Sequence, residues 1–373
     1  MGKKILIFTS EFPPLPGGIG NHAYNLGKHL CLHDYDVTII ADQRNKNLQS
    51  DIDFDSKHDF KVVRIKRKNP VVLTYINRIQ KTFSLIRKNE IIIASGKFPL
   101  WLVAFMSLFF SSKKFVAVLH GSELGIGGKI GKSLTRFSLR KYDKLIAVSN
   151  FTKKLALDRQ PNIKIEVINN GFAPKIDVQI AKPKTSGLDI ITVGNVTSRK
   201  GQQNVIKALP EIQKQFPDVV YHIVGLPTEK MKFAELAKRL NVDKSVIFHG
   251  ALSDAALYKT LSHSKVFCML SDYLPNGDVE GFGIAVLEAN QLGLPGVGSK
   301  NSGIADAIND GFSGKLVDPH NPKEIAQALS EIMNKYDAYS SNAVKWSKNF
   351  SWDKIIKKYI AVIANHRDEE NAN

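Results

Sequence analysis

The chain has 373 residues, 43% hydrophobic and 23% charged, an ordinary globular composition whose length predicts two domains. Only Cys31 and Cys268 are present, which excludes a disulfide framework and suits a reduced compartment. The net charge of +17 lies entirely in the first half: residues 1–185 hold 31 Lys and Arg against 14 Asp and Glu, and residues 186–373 hold 21 of each.

In chain order, Ile5-Leu6-Ile7-Phe8 is too short an apolar run for a signal peptide, and Leu6 stands where a myristoylation signal places Ser or Thr. Residues 4–10 read as a strand, followed by a Pro- and Gly-rich loop and a helix with Ile19, Ala23, Leu26 and Leu30 on one face. Residues 36–41 form a second strand. Residues 64–88 gather Arg64, Lys66, Arg67, Lys68, Arg78, Lys81, Arg87 and Lys88, and from Tyr75 to Ile86 apolar residues recur between them at helical spacing. That pattern suits a helix on an anionic membrane surface, or a core-facing helix with a solvated basic face. No nucleic-acid motif accompanies the charge, so nucleic acid is not expected as a partner. Strands follow at 90–94, 115–119 and 145–148; the apolar run 98–110, too short to span a bilayer, reads as a buried helix. Residues 174–187 read as a linker and 368–373 as a frayed tail.

The alternation restarts with strands at 189–193, 219–224, 246–248 and 266–270. Helices are expected near 202–216, 229–240, 254–261, 283–292, 322–336 and 352–365. Apolar strands alternating with helices mean parallel sheets covered on both faces. The expected architecture is α/β: two doubly wound domains, 1–185 and 186–351, facing a cleft, with ligands at the carboxyl ends of the strands.

The richest stretch runs from Asp278 to Ala289. Glu280 lies in a Gly-flanked loop and Glu288 eight positions on, inside a helix. This spacing suits a sugar nucleotide: one acid holds sugar hydroxyls, the other ribose hydroxyls, and the helix start after Gly281-Phe282-Gly283 faces a diphosphate. A glycosidase-type carboxylate pair would leave other phosphate-binding features without a use. Those features are Arg199 and Lys200 after the strand at 189–193, a fork and a point charge for a diphosphate, and Gly17-Gly18-Ile19-Gly20 at the first helix start. The glycine spacing is not the dinucleotide fingerprint, and alone it also fits a tight turn. His120, at a strand's carboxyl end, can reach a sugar hydroxyl. His22, His222 and His249 lack such a place and read as structural. Asp272 and Asp278 match no known ligand set, and no metal site is expected.

Taken together these segments resemble family 4 of the retaining, nucleotide-sugar-dependent glycosyltransferases, with the GT-B fold of two Rossmann-like domains. The matching pieces are Pro16-Gly17-Gly18-Ile19, His120-Gly121, residues 147–152, residues 167–171, Arg199-Lys200-Gly201, residues 223–225, residues 248–250, Glu280 through Glu288, and residues 310–314. The form around Glu280 is similar to phosphatidylinositol mannosyltransferases. The resemblance implies an acceptor-binding first domain and a donor-binding second one, with the C-terminal helix, 352–373, crossing back to the first. Arg199 and Lys200 would hold the diphosphate. Glu280, with the backbone at Phe282, Gly283 and Ile284, would hold the donor sugar, and Glu288 the ribose. Gly225, Gly250 and Leu252 would lie near the nucleotide; Gly17, Gly18 and His120 would reach the phosphates and sugar from the first domain. The implied reaction is hexose transfer from a UDP- or GDP-sugar to a glycan or lipid-linked hydroxyl, without metal or other cofactor, in the cytoplasm or at the inner membrane face. Two departures bear on the site: Asn195 stands where many members carry Arg, and Ala173 where Asp often follows the Asn-Gly element. The alternatives are a sugar-nucleotide epimerase of the same fold, or a binding module whose function is the basic surface.

Overall fold

The computed structural model describes residues 2–44, 48–125, 128–173 and 187–364; the expected tail, and the expected linker apart from its last residue, lie outside them. The chain divides into two compact units, Met1–Gly171 with Trp352–Asn373, and Phe172–Ser351.

In the first unit β1 (Lys4–Thr9), β2 (Asp36–Asp42), β3 (Lys61–Ile65), β4 (Ile91–Ser95), β5 (Lys114–Leu119), β6 (Lys144–Ala147) and β7 (Glu166–Val167) form one parallel sheet, ordered β3-β2-β1-β4-β5-β6-β7. Strands β1, β4 and β5 are apolar on both faces, and Ile5 through Phe8 are fully buried, as a sheet between helical layers requires. The connecting helices are α1 (Gly18–Cys31), α2 (Leu48–Asp55), α3 (Val71–Lys88), α4 (Lys97–Met106), α5 (Ser122–Gly125), α6 (Lys129–Leu139) and α7 (Asn150–Arg159).

The second unit repeats the plan. Strands β8 (Asp189–Val193), β9 (Val220–Val224), β10 (Val246–Gly250), β11 (Val266–Met269), β12 (Gly296–Ser299) and β13 (Gly314–Val317) pair in parallel as β10-β9-β8-β11-β12-β13. Its helices are α8 (Gln202–Ile212), α9 (Lys230–Arg239), α10 (Asp254–His263), α11 (Ile284–Gln291), α12 (Pro322–Asn334) and α13 (Tyr336–Ser347). Strand order reverses between β1 and β4 in one sheet and between β8 and β11 in the other, which opens a crevice at each carboxyl edge.

Four strands were not expected from the sequence: β3, β7, β12 and β13. Strand β3 runs into the start of the basic run, and β12 carries two glycines, which weaken the strand pattern. Those glycines answer to packing, since a methyl on Gly298 would sit 2.4 Å from Ile304 Cγ2. Helix α3 turns Thr74, Thr82 and Ile86 inward and leaves Val71, Val72, Tyr75, Ile76, Ile79 and Phe83 exposed, against the core-facing alternative. One expected helix differs. The run 98–110 is buried only in part: Leu100, Val103 and Met106 enter the core, whereas Phe105, Leu108 and Phe109 are at least half exposed, at 51%, 50% and 62%.

The last described helix, α14 (Trp352–Ala364), belongs to the first unit. Trp352, Ile355, Ile356, Tyr359, Val362 and Ile363 make a buried stripe of helical period, packed on α1. Lys114 Nζ donates to the carbonyls of Val362 and Ile363, both at 2.9 Å, satisfying the helix end and complementing its dipole. The Trp352 indole lies flat enough on Gly171 that a Cβ there would be 2.8 Å from Cδ2. Gly171→Ala should therefore lower stability by about 1–3 kcal/mol in a urea melt. Gly128→Ala, where a methyl meets open space, should stay within about 0.5 kcal/mol of the parent.

Candidate active site

The second unit gathers its expected residues at the carboxyl ends of β8, β9, β10 and β11. After β8, Ser198–Lys200 make one 3-10 turn that ends on Gly201, whose backbone is left-handed at φ 78°. A Cβ on Gly201 would lie 1.8 Å from the Leu270 carbonyl oxygen, so only glycine lets the turn approach the exit of β11. The neighbouring loops grip this turn. Asp272 N–H donates to Arg199 O at 3.1 Å, and Gln203 Nε2 donates to Ser198 O at 2.8 Å. Ser198 donates to the Glu229 carboxylate from its N–H at 3.0 Å and its hydroxyl at 2.7 Å.

Held in this way, both cations meet Glu280. Lys200 Nζ lies 2.7 Å from Glu280 Oε2, Arg199 Nη1 bonds the same oxygen, and Arg199 Nε stands 3.3 Å from Asp278 Oδ2. Burial by itself would raise the Glu280 carboxyl; Lys200 and Arg199 outweigh it and hold it at about 2. The Gly303 N–H donates to Glu280 O at 3.0 Å and fixes the loop from behind. The sequence pattern sets Glu280 on a sugar with the cations beyond it on phosphate; in the structure cations and carboxylate are in direct contact.

Gly281-Phe282-Gly283 leads into α11, with Phe282 buried and Gly283 at the helix cap. Glu288, in α11, lines a slot with Val193, Leu257, Tyr258, Leu261 and Ala285. Burial, then the Glu288 and Asp254 charges, raise the Tyr258 phenol. Gly225 follows β9 and donates its N–H to Gly250 O at 2.9 Å; Gly250 ends β10, and Leu252 lies just beyond it. Asp272 and Asp278 do not form a cation site. Asp272 accepts from Gln203 Nε2 at 2.7 Å and Asn204 Nδ2 at 3.0 Å and faces His320 at 3.1 Å, while Asp278 faces Arg199. Among the described residues no group of three or more His, Cys, Asp or Glu is placed to hold a metal.

In the first unit Gly17 precedes α1 and Gly18 opens it; a methyl at Gly18 would meet open space, so packing does not require that glycine. His120 follows β5 and is buried. Its Nε2 lies 2.9 Å from Ser95 Oγ at the end of β4, and its own N–H donates to the buried Glu123 carboxyl. Burial lowers its imidazole to about 4, so the ring is neutral at physiological pH. Sequence reasoning missed its surroundings. His22, read as structural, stands with its ring centroid 5.1 Å from that of His120. Glu123, Ser95 and Glu229 carried no signal beyond lying near a strand end, and Asp278 stood out only as a cation ligand without a matching set.

Residues 16–175 match the family described as Glycosyltransferase Family 4, and residues 175–350 that described as Glycosyl transferases group 1. The chain belongs to the family 4 glycosyltransferases, enzymes with the GT-B arrangement of two Rossmann-like domains. It is 25% identical over 345 residues to the GDP-mannose-dependent alpha-(1-6)-phosphatidylinositol monomannoside mannosyltransferase of Mycolicibacterium smegmatis, covering 88% of this chain and 89% of that protein. It is 27% identical over 351 residues to the GDP-mannose-dependent monoacylated alpha-(1-6)-phosphatidylinositol monomannoside mannosyltransferase of Corynebacterium glutamicum, covering 89% of each. The fold is shared with Anabaena HepE, solved in complex with UDP-glucose, at TM-score 0.78 and 19% identity over 97% of this chain and 99% of that one.

Because the Glu280 carboxyl is lowered by folding, its contribution to stability is complete above the unfolded carboxyl value of about 4.3 and is lost as pH falls toward 2. Thermal melts of wild type and Glu280→Gln should differ most at neutral pH and converge between about pH 4.5 and 2.

Proposed function

We propose that this enzyme is a retaining glycosyltransferase. It moves a hexose-type sugar from a GDP- or UDP-sugar to a hydroxyl of a glycan or lipid-linked acceptor, in the assembly of cell-surface polysaccharide or glycolipid. The observation that carries the reading is the convergence of Arg199 and Lys200 on Glu280 at the switch point of the second unit. A diphosphate arriving there takes over both cations and releases Glu280 to accept hydroxyls of the donor sugar.

Arg199, Lys200 and the N–H groups around Phe282, Gly283 and Ile284 stabilise the departing diphosphate, the electrostatic form of catalysis, with no metal ion assigned to the task. The bond from the sugar's anomeric carbon to the phosphate oxygen breaks as the acceptor oxygen bonds to that carbon from the same face. The acceptor's proton passes to the leaving phosphate oxygen. Glu288 takes the ribose, while Gly225, Gly250 and Leu252 border the base. From the first unit, Gly17 and Gly18 serve the phosphates and His120 the sugar, as a neutral imidazole. GDP-mannose, the donor named for two similar proteins, is the first to try. In a transfer assay with the accepted donor, Lys200→Ala and Glu280→Ala should each lose at least about 10²-fold in rate with nearly unchanged far-UV spectra. Near-normal rates in both would overturn the site.

The acceptor side is assigned to an anionic membrane surface on the cytoplasmic face. Supporting this are the exposed apolar residues of α3 beside exposed Lys66, Arg67, Lys68, Arg87 and Lys88. Arg64 and Arg78 are not available to lipid: they are engaged with Asp55 at 2.6 Å and Asp42 at 2.5 Å. No helix among the described residues is long and apolar enough to cross a membrane. Vesicles of phosphatidylglycerol should co-sediment the protein at low salt, with Ile79→Asp releasing it and phosphatidylcholine vesicles failing to bind. Equal binding to both lipids, or none, would remove the membrane from the reading.

A further inference from the structure

A chain of side chains runs from the last helix to His120. Tyr359, in α14, has its hydroxyl 2.9 Å from His22 Nε2. The His22 ring meets the His120 ring edge-to-face, centroids 5.1 Å apart at 77°. His120 in turn holds Ser95 Oγ through Nε2 at 2.9 Å. All four side chains are buried, and Trp352 closes the cluster with its ring 5.5 Å from that of His22. His22 sits in the first turns of α1, which Gly18 opens, and its side chain links this helix to the last helix and to the candidate imidazole.

The polar bookkeeping of this cluster admits little slack. His22 Nδ1 is buried with no hydrogen-bond partner. A buried unpaired N–H is costlier than an under-satisfied acceptor, which puts the His22 proton on Nε2, donating to Tyr359 Oη. Burial, and then the proximity of His120, lower His22 well below the ordinary imidazole value, so neither ring carries charge at neutral pH. Two neutral imidazoles in edge contact leave His120 little room to turn, and the Tyr359 hydroxyl supplies the hydrogen bond that orients the inner ring.

We infer that Tyr359 and His22 are positioning residues for His120, holding its imidazole in one orientation from the side away from substrate. The inference rests on the assignment of His120 to the donor sugar. Neither residue touches a reacting atom; each acts through the ring it supports. The C-terminal helix is thus part of the catalytic apparatus of the first unit as well as of its core.

The test is a double-mutant cycle with the nucleotide sugar that the protein turns over, joined to an NMR measurement that needs no substrate. Tyr359→Phe removes one oxygen and keeps the packing. It should lower kcat about tenfold while KM for the donor, and the Kd for the free nucleotide, stay within about twofold. In a His120→Ala background the same substitution should have no further effect. In protein labelled with 15N-histidine, the His120 ring resonances, identified by their loss in His120→Ala, should move in Tyr359→Phe. A wild-type kcat in Tyr359→Phe, an equal loss in both backgrounds, or unmoved His120 resonances would overturn the positioning role alone. Wild-type transfer by His120→Ala would instead overturn the assignment of His120, and the positioning role with it.

Discussion

A mostly buried carboxylate between two cations governs the second unit. Stranded alone, Glu280 would be driven toward its neutral form by the loss of water; Lys200 and Arg199 reverse that and keep it charged. Asp278, on the other side of the guanidinium, completes a balanced set of two positive and two negative groups. The surrounding architecture follows from holding those charges in register. Gly201 lets the 3-10 turn reach β11, Glu229 and Asp272 fasten it, and Gly303 backs the acidic loop. A set of this kind is already internally neutralised, so an anion binding there would exchange one ion pair for another and would not enter an uncompensated positive hole.

The two units use one topology for opposite electrostatic ends. At the switch point of the second, charges are concentrated and paired. Around His120 in the first stand two neutral imidazoles, a serine and a tyrosine, with the Glu123 carboxyl, which burial raises.

The parallel sheets were legible because β1, β4 and β5 are mainly apolar runs, a pattern that needs helices on both faces. Of the four strands that escaped notice, β7, β12 and β13 have two to four residues each, and β12 carries glycines demanded by neighbours distant in sequence. At the site, Arg199, Lys200, Glu280 and Glu288 stood out through spacing and glycine flanks. Their mutual contact did not, because 81 residues separate Arg199 from Glu280 and only the sheet brings them together. His22 shows the same limit more sharply. Its significance depends on Tyr359, 337 positions away, and on His120, so no local pattern could distinguish it from an ordinary helix histidine. Helix α3 was ambiguous for another reason: periodicity reports that a helix has two faces, but not which one the core accepts.

The first unit is completed by a segment that the ribosome delivers only after the whole of the second. Until α14 arrives, the face of α1 that receives Trp352, Ile356 and Tyr359 has no cover, and His22 lacks its hydroxyl partner. An emerging chain therefore cannot finish its amino-terminal half first, contrary to the usual vectorial order. The imidazole cluster can assemble only once residues 352–364 have been made, after every residue of the second unit.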